Sequence, residues 1–284
     1  MIIQHNIPAL NSYRQLSGNN NALAKNLEKL SSGYKVNRAG DDAAGLAISE
    51  KLRAQIRGLE TASKNALDGI SVIQTAEGAL TEVHSMLNRM VELATQASNG
   101  IYGNEERSAI QAEITQLNGE IDRIAGFTNF NGTLLLTTDA AAPGTSDGMV
   151  LADSNKIVLQ VGDTAGQTIQ VSIANMDSSN LGVSGVSVGT VSDANSAIAT
   201  IKSAISAVST QRAAFGAIQN KLEHTINNLG VTTENITAAE SRIRDTDMAK
   251  EMMAYTKNAI LVQSAQAMLA QANQIPQGVL QLLR

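Results

Sequence analysis

The chain has 284 residues, a net charge of -5, no cysteine, no tryptophan, and 43% hydrophobic but only 2% aromatic residues. That length suits one or two domains, and the lack of cysteine excludes disulfides, thiolate metal sites and cysteine nucleophiles. An acidic balance without a basic run argues against nucleic acid and anionic membranes as partners, while a core made from Leu, Ile, Val, Met and Ala suits long helices packed side by side.

Met1 to Pro8 offers no basic n-region and no apolar h-region, so no Sec-type leader is expected. Ile3, Ile7, Leu10, Tyr13, Leu16, Asn20, Leu23, Leu27, Leu30 and Tyr34 recur at threes and fours and predict a first heptad helix. Asn20 falls on that seam, where an amide either selects register and partner or is simply a weak spot. Gly33 supplies a stop, residues 35–40 read as a loop, and Asp41 or Asp42 can cap the next helix by accepting from its free N–H groups.

From Leu59 the seam runs through Ala62, Ala66, Gly69, Ile73, Ala76, Leu80, Val83, Leu87, Met90 and Ala94 to Ala97, a helix of roughly 60 Å at about 1.5 Å per residue. Asn99-Gly100 ends it. Ile110, Ile114, Leu117, Ile121 and Ile124 predict a shorter helix stopped at Gly126, antiparallel to the long one because the connection is short. Between Thr133 and Asp193 the composition turns to Gly, Ser, Thr, Asp and Asn, with a turn at Pro143-Gly144. Within it, Lys156 to Val161 and Thr168 to Ile173 are β-rich runs that predict a hairpin.

Helix resumes at Ala197, with Ile198, Ile201, Ile205, Val208, Arg212, Phe215, Gln219, Leu222, Ile226 and Leu229 on its seam. The last stretch carries no charge between Lys257 and Arg284, and Leu261, Ala265, Met268, Ala272, Ile275, Val279 and Leu282 form its seam. Six glutamines interrupt that stretch, so lipid would leave amides unpartnered, and other protein is the expected environment. The two terminal seams either bury one another's copies in a polymer or pair within one molecule; periodicity does not separate these.

Chemistry has little support. Gly185-Val186-Ser187-Val188-Gly189 matches the nucleophile-elbow pattern, and Asp193 or Glu223 with His224 completes a hydrolase order, but the βαβ context that this motif needs is missing. His5, His84 and His224 are far apart in sequence and fit no zinc motif, and no phosphate-binding glycine motif occurs. No catalytic residue, metal or cofactor is expected.

The stretch from Leu30 through Gly33-Tyr34 and Arg38-Ala39-Gly40-Asp41-Asp42 to Ile48 resembles the N-terminal signature of bacterial flagellin. Phe130-Asn131-Gly132, Ser241 to Ala249 and Gln271 to Leu283 resemble the family's later motifs. The resemblance implies a mainly α fold in a minimal two-domain form. Residues 1–33 and 254–284 would pair as terminal helices of an inner tube, and 34–253 would form a helical rod with a β-containing segment at about 134–193. It implies a filament subunit for motility, with Ile7, Leu10, Leu23, Leu27, Leu261, Met268, Ile275, Val279 and Leu282 at the filament interface. It further implies type III export to the extracellular flagellum, a cytoplasmic export chaperone on the C-terminal helix, and filament cap and junction proteins as partners. Arg89, Leu93 and Glu113 match contact positions for Toll-like receptor 5, with Val91 where a second arginine often stands. Thr145, Ser146, Ser178 and Ser179 are the hydroxyls available to O-linked sugars. A hook–filament junction subunit, which shares the terminal scheme, is the runner-up.

Overall fold

The computed structural model describes residues 6–137 and 156–282, with side chains up to Gln274. Ile3, Pro143, Gly144, Thr145 and Ser146, and the side chains of Ile275, Val279 and Leu282, lie outside the described set. The elements in chain order are α1 (Ile7–Ser32), α2 (Ala43–Ala97), α3 (Asn104–Phe127), β1 (Asn129–Phe130), β2 (Thr133–Leu134), β3 (Lys156–Gln160), β4 (Thr168–Ser172), α4 (Val191–Arg244) and α5 (Met248–Leu282). The fold is mainly α, as expected. The chain divides into a terminal unit, Met1–Ile56 with Glu234–Arg284, and a central unit, Arg57–Thr233. Both expected borders, after residues 33 and 253, fall inside the terminal unit.

In the terminal unit, α1 starts at Asn6, whose side chain accepts from Ala9 N at 3.1 Å, with Pro8 in the first turn where its missing N–H costs nothing. It stops at Gly33, held in the left-handed region at φ 74° with its N–H on Lys29 O. Helix α5 runs antiparallel to α1: Asn6 Nδ2 donates to Ala272 O at 2.8 Å, while Asn26 at the other end donates to Glu251 Oε1 and accepts from Asn258 Nδ2, each at 3.0 Å. The residues that α1 half-buries include Ala9, Ser12, Leu16, Asn19, Leu23, Asn26 and Leu30, which alternate by threes and fours, with Ala22, Glu28 and Lys29 beside them. Tyr255, Asn258, Val262, Ala265, Leu269 and Ala272 do the same on α5.

This seam shares Leu16, Leu23 and Leu30 of α1 and Ala265 and Ala272 of α5 with the expected one and departs from it at the other positions. Ile7, Leu10, Tyr13 and Leu27 are 55% to 63% exposed, and Leu261 and Met268 also face outward. Asn20 is exposed, and the inward amides are Asn19 and Asn26. The reason is that α1 carries two heptad stripes one residue apart, and periodicity favours the one with larger side chains. Pairing with α5 selects the stripe with Ala9, Ser12, Ala265 and Ala272, because small side chains let two axes approach.

In the central unit every expected α2 position from Leu59 to Ala97 is buried. Helix α3 lies antiparallel on it, since Arg107 Nε donates to Ala97 O at 3.2 Å while Arg89 Nε donates to Glu113 Oε1 at 3.0 Å. Helix α4 begins at Val191, earlier than expected, because Thr190 Oγ1 accepts from Asp193 N at 3.1 Å and caps it. Its buried line is Ala194, Ala197, Ile201, Ala204, Val208, Phe215, Leu222 and Leu229; Ile198 and Ile205 flank it. Arg212 on the same line reaches Glu77 of α2 at 3.5 Å.

The expected hairpin forms between β3 and β4, in antiparallel register from Lys156↔Ser172 to Gln160↔Thr168. Asn65 Nδ2 holds it to α2 through Gln160 O at 3.0 Å, and Gly69 leaves the space that Leu159 fills. A second hairpin, β1–β2, was not anticipated; Asn131 (φ 52°) and Gly132 (φ 81°) make its two-residue turn.

Three α3 side chains staple the extended segment that leads to α4. Asp122 accepts from Ser178 N at 2.7 Å and from its hydroxyl at 2.9 Å. Asn118 donates to Val183 O, and Gln111 both donates to Val186 O and accepts from Val188 N. Ser178 is therefore buried and its hydroxyl engaged, which removes it as a sugar acceptor; Ser179 is exposed. Replacing Asp122 by Ala strands two buried donors and should cost the central unit about 2–4 kcal/mol. Chemical denaturation checks this, and Asp122→Asn, which keeps an acceptor, should lose about half as much.

Candidate assembly interface

The two sequence motifs on either side of the chain's middle meet inside the terminal unit. Lys35 N donates to Arg244 O at 2.6 Å and Thr246 N to Gly33 O at 3.0 Å, so Tyr34 and Asp245 form a short antiparallel bridge. The Arg244 guanidinium lies 4.6 Å from the Tyr34 ring centre and donates to Glu50 Oε1 at 2.8 Å. One turn earlier on α4, Glu240 Oε1 accepts from the buried Ser49 hydroxyl of α2 at 2.9 Å. Asp42 Oδ1 caps α2 by accepting from Gly45 N at 2.9 Å, which leaves Asp41 to brace the loop through the N–H groups of Arg38 and Asn37. Arg38 in turn pairs with Glu28 of α1 at 2.8 Å.

These contacts set the acid response. The Arg244 hydrogen bond, aided by Arg53, holds the Glu50 carboxyl below its ordinary value. The Arg38 backbone N–H, with Asn37 and the charges of Lys25 and Lys29, does the same for Asp41. A depressed carboxyl favours folding at pH above its unfolded value, and that contribution disappears as the pH falls through the folded value. The terminal unit should therefore loosen below about pH 4. Far-ultraviolet circular dichroism during acid titration checks this, and Glu50→Gln should flatten the lower part of the transition.

Two faces of the terminal unit stay open. On α1 they are the apolar side chains of Ile7, Leu10, Tyr13 and Leu27; on α5 they are Met253, Ile260, Leu261 and Met268. No charge falls between Lys257 and Arg284, so nothing on the later part of α5 repels an apolar partner. Only Ala272 of α5 and no residue of α1 is buried among the described side chains, so the helix pair leaves most of its apolar surface uncovered. Among the described residues no helix is long and apolar enough to cross a membrane.

The remaining sequence candidates separate. Arg89 is exposed and bridges Glu113 at 3.0 Å and Glu92 at 3.1 Å, whereas Leu93, at 2% exposure, belongs to the core beneath them. Ser187 is exposed on the loop that Gln111 holds by its neighbours, with Asp193 beside it. His224 lines a separate groove of α4 with Asn220, Lys221 and Asn228, so the serine, aspartate and histidine are not assembled into a triad. The cluster of Tyr34, Glu50 and Arg244 carries no sequence signal, because Arg244 lies about two hundred residues from the other two and shares no period with them.

Comparison with known proteins bears on these faces. A family model described as the bacterial flagellin N-terminal helical region matches residues 3–141, and one described as the C-terminal helical region matches residues 198–283. Flagellin from Bacillus subtilis (strain 168) is 52% identical, with all of both chains covered. A flagellar filament 31.3 kDa core protein from Treponema maltophilum is 50% identical, again over the full length of both. Among solved structures, a putative flagellar hook-associated protein from Vibrio parahaemolyticus aligns with a TM-score of 0.58 at 14% identity, covering 72% of this chain and all of that one, a likeness of fold alone.

Proposed function

The chain belongs to the bacterial flagellin family and is a structural subunit of the flagellar filament, and from that premise we propose that the outward faces of α1 and α5 are the surfaces by which its copies join. The junction-subunit alternative is not favoured, since both family models and the full-length relatives are flagellins or filament core proteins. The single observation that carries the interface reading is the run of exposed Ile7, Leu10, Leu27, Leu261 and Met268 on helices whose other face is already paired. A surface of this kind on a secreted subunit asks for identical neighbours, and a heterologous contact that does not close propagates into a helical filament. Leu23, which lies on the paired face, contributes by holding α1 on α5 rather than by touching a neighbour. Ile275, Val279 and Leu282 extend the same uncharged stretch and are assigned to the interface with it.

The family resemblance supplies the rest of the reading. The paired helices α1 and α5 build the inner tube of an extracellular filament, reached by type III export. An export chaperone covers α5 before assembly, which suits its open apolar side, and cap and junction proteins meet the filament ends. Recognition by Toll-like receptor 5 would rest on Arg89 and Glu113, with Leu93 shaping the helix from below and Val91 lacking the charge of an arginine.

The test is negative-stain electron microscopy of the purified chain concentrated in sulfate, which strengthens apolar burial. Long uniform filaments are expected. Discrete particles alone, even with filament fragments as seeds, would overturn the assembly reading.

A further inference from the structure

The methionines of this chain divide by place. Met90 and Met176 are buried in the central unit and Met86 is packed against its core. Met248, Met252, Met253 and Met268 are 48%, 48%, 66% and 63% exposed, and all four stand on α5. Among the described residues, every strongly exposed methionine therefore belongs to one helix. Two of them, Met253 and Met268, flank Ile260 and Leu261 on its open apolar side.

Thioether sulfur is a soft nucleophile whose oxidation depends on access. A hydroperoxide supplies the oxidant: the sulfur lone pair attacks one peroxide oxygen, the O–O bond breaks, and the departing oxygen takes a proton and leaves as water or alcohol. The sulfur gains one oxygen and loses two electrons, and the peroxide is reduced by the same two. The product is a sulfoxide, polar and hydrogen-bond accepting, in place of a flexible apolar group.

We propose that the outer side of α5 is an oxidation-sensitive surface, at which peroxide converts Met253 and Met268 foremost, with Met248 and Met252, to sulfoxides and so withholds the unassembled chain from polymerisation. The proposal rests on the assembly reading above. A sulfoxide can join an apolar contact only by giving up water without a replacement partner, which lowers association by a factor of order ten at each buried site. Once copies cover α5 the same sulfurs lose access to peroxide. The buried methionines of the central unit are shielded in both states, so the oxidised subunit stays folded there while losing its means of joining.

The experiment treats the purified full chain and preformed filaments with equal hydrogen peroxide, maps oxygen addition by peptide mass spectrometry, and measures the critical concentration for assembly by sedimentation. In the free chain, oxygen should enter the α5 methionines well before Met86, Met90 or Met176, and in filaments Met253 and Met268 should be protected at least about tenfold. Oxidised chain should need roughly a hundredfold higher concentration to polymerise, two buried sites at about tenfold each. Reducing the oxidised chain with methionine sulfoxide reductases of both epimer specificities, with the return of thioether checked by mass spectrometry, should restore the original critical concentration. Oxidised chain that polymerises normally, equal oxidation of buried and exposed methionines, or assembly that stays lost after the sulfoxides have been reduced would each overturn the proposal. Untreated chain that never polymerises removes the assembly reading itself, a result seen before any peroxide is added.

Discussion

Leu27→Glu should leave a folded chain that does not form filaments. Leu27 is 55% exposed on α1 and lies outside the stripe paired with α5, so in the isolated chain a carboxylate at that position meets water and costs little. In the filament it would be enclosed by a neighbouring copy with no cation to meet it on the uncharged stretch of α5. Removing an unpaired charge from water costs several kcal/mol, and since each subunit makes the contact, the association constant should fall by about a thousandfold or more. Seeded sedimentation measures the loss, and thermal unfolding of the central unit should be unchanged. Leu23→Glu makes the contrasting case. Leu23 is half-buried between α1 and α5, so a charge there should reduce helicity of the free chain as well as assembly. If Leu27→Glu polymerises as readily as the parent, the open face of α1 is not an interface.

The contrast between those two leucines also shows what the sequence makes legible. On α2 one stripe holds most of the buried residues, so spacing alone identifies the buried positions from Leu59 to Ala97 except Val72 and Leu93, which lie beside it. On α1 and α5 apolar residues occupy two stripes, and only the partner decides which is covered. Leu10 and Met268 therefore read as seam positions when Ala9 and Leu269 hold the intramolecular one. The β3–β4 hairpin was legible because its strands alternate and its loop is polar, while β1–β2 is only two residues a side and carries one signal, the Asn131-Gly132 turn. The staples from Gln111, Asn118 and Asp122 could not be foreseen, since they are polar residues on a helix surface until the segment with Ser178, Val183 and Val188 is laid along them. Leu93 shows the same limit in reverse: a matched motif position gives identity, and only packing tells which side of the helix it serves.

Phe215→Ala should produce the largest loss of stability in the central unit while leaving assembly possible at low temperature. Phe215 is fully buried and is the largest side chain so enclosed among the described residues, on a line of α4 otherwise filled by Ala, Val, Ile and Leu. Arg212, three residues before it, reaches Glu77 of α2, and the buried residue next to Glu77 is Ala76, whose methyl group cannot extend into a vacated ring volume. Long helices packed along their length cannot collapse locally either, because closing the gap at one turn opens gaps at the next. The cavity should remain largely unfilled, giving a cost of about 3–5 kcal/mol. For a unit of this size each kcal/mol lowers the midpoint by roughly 2–4 °C, so calorimetry should record a fall on the order of 10 °C. The variant's filaments should form in the cold, since α1 and α5 keep their open faces, and should dissociate at a correspondingly lower temperature than the parent's. A fall of less than about 2 °C would mean that the core around α4 repacks freely, against the close packing expected of a buried core.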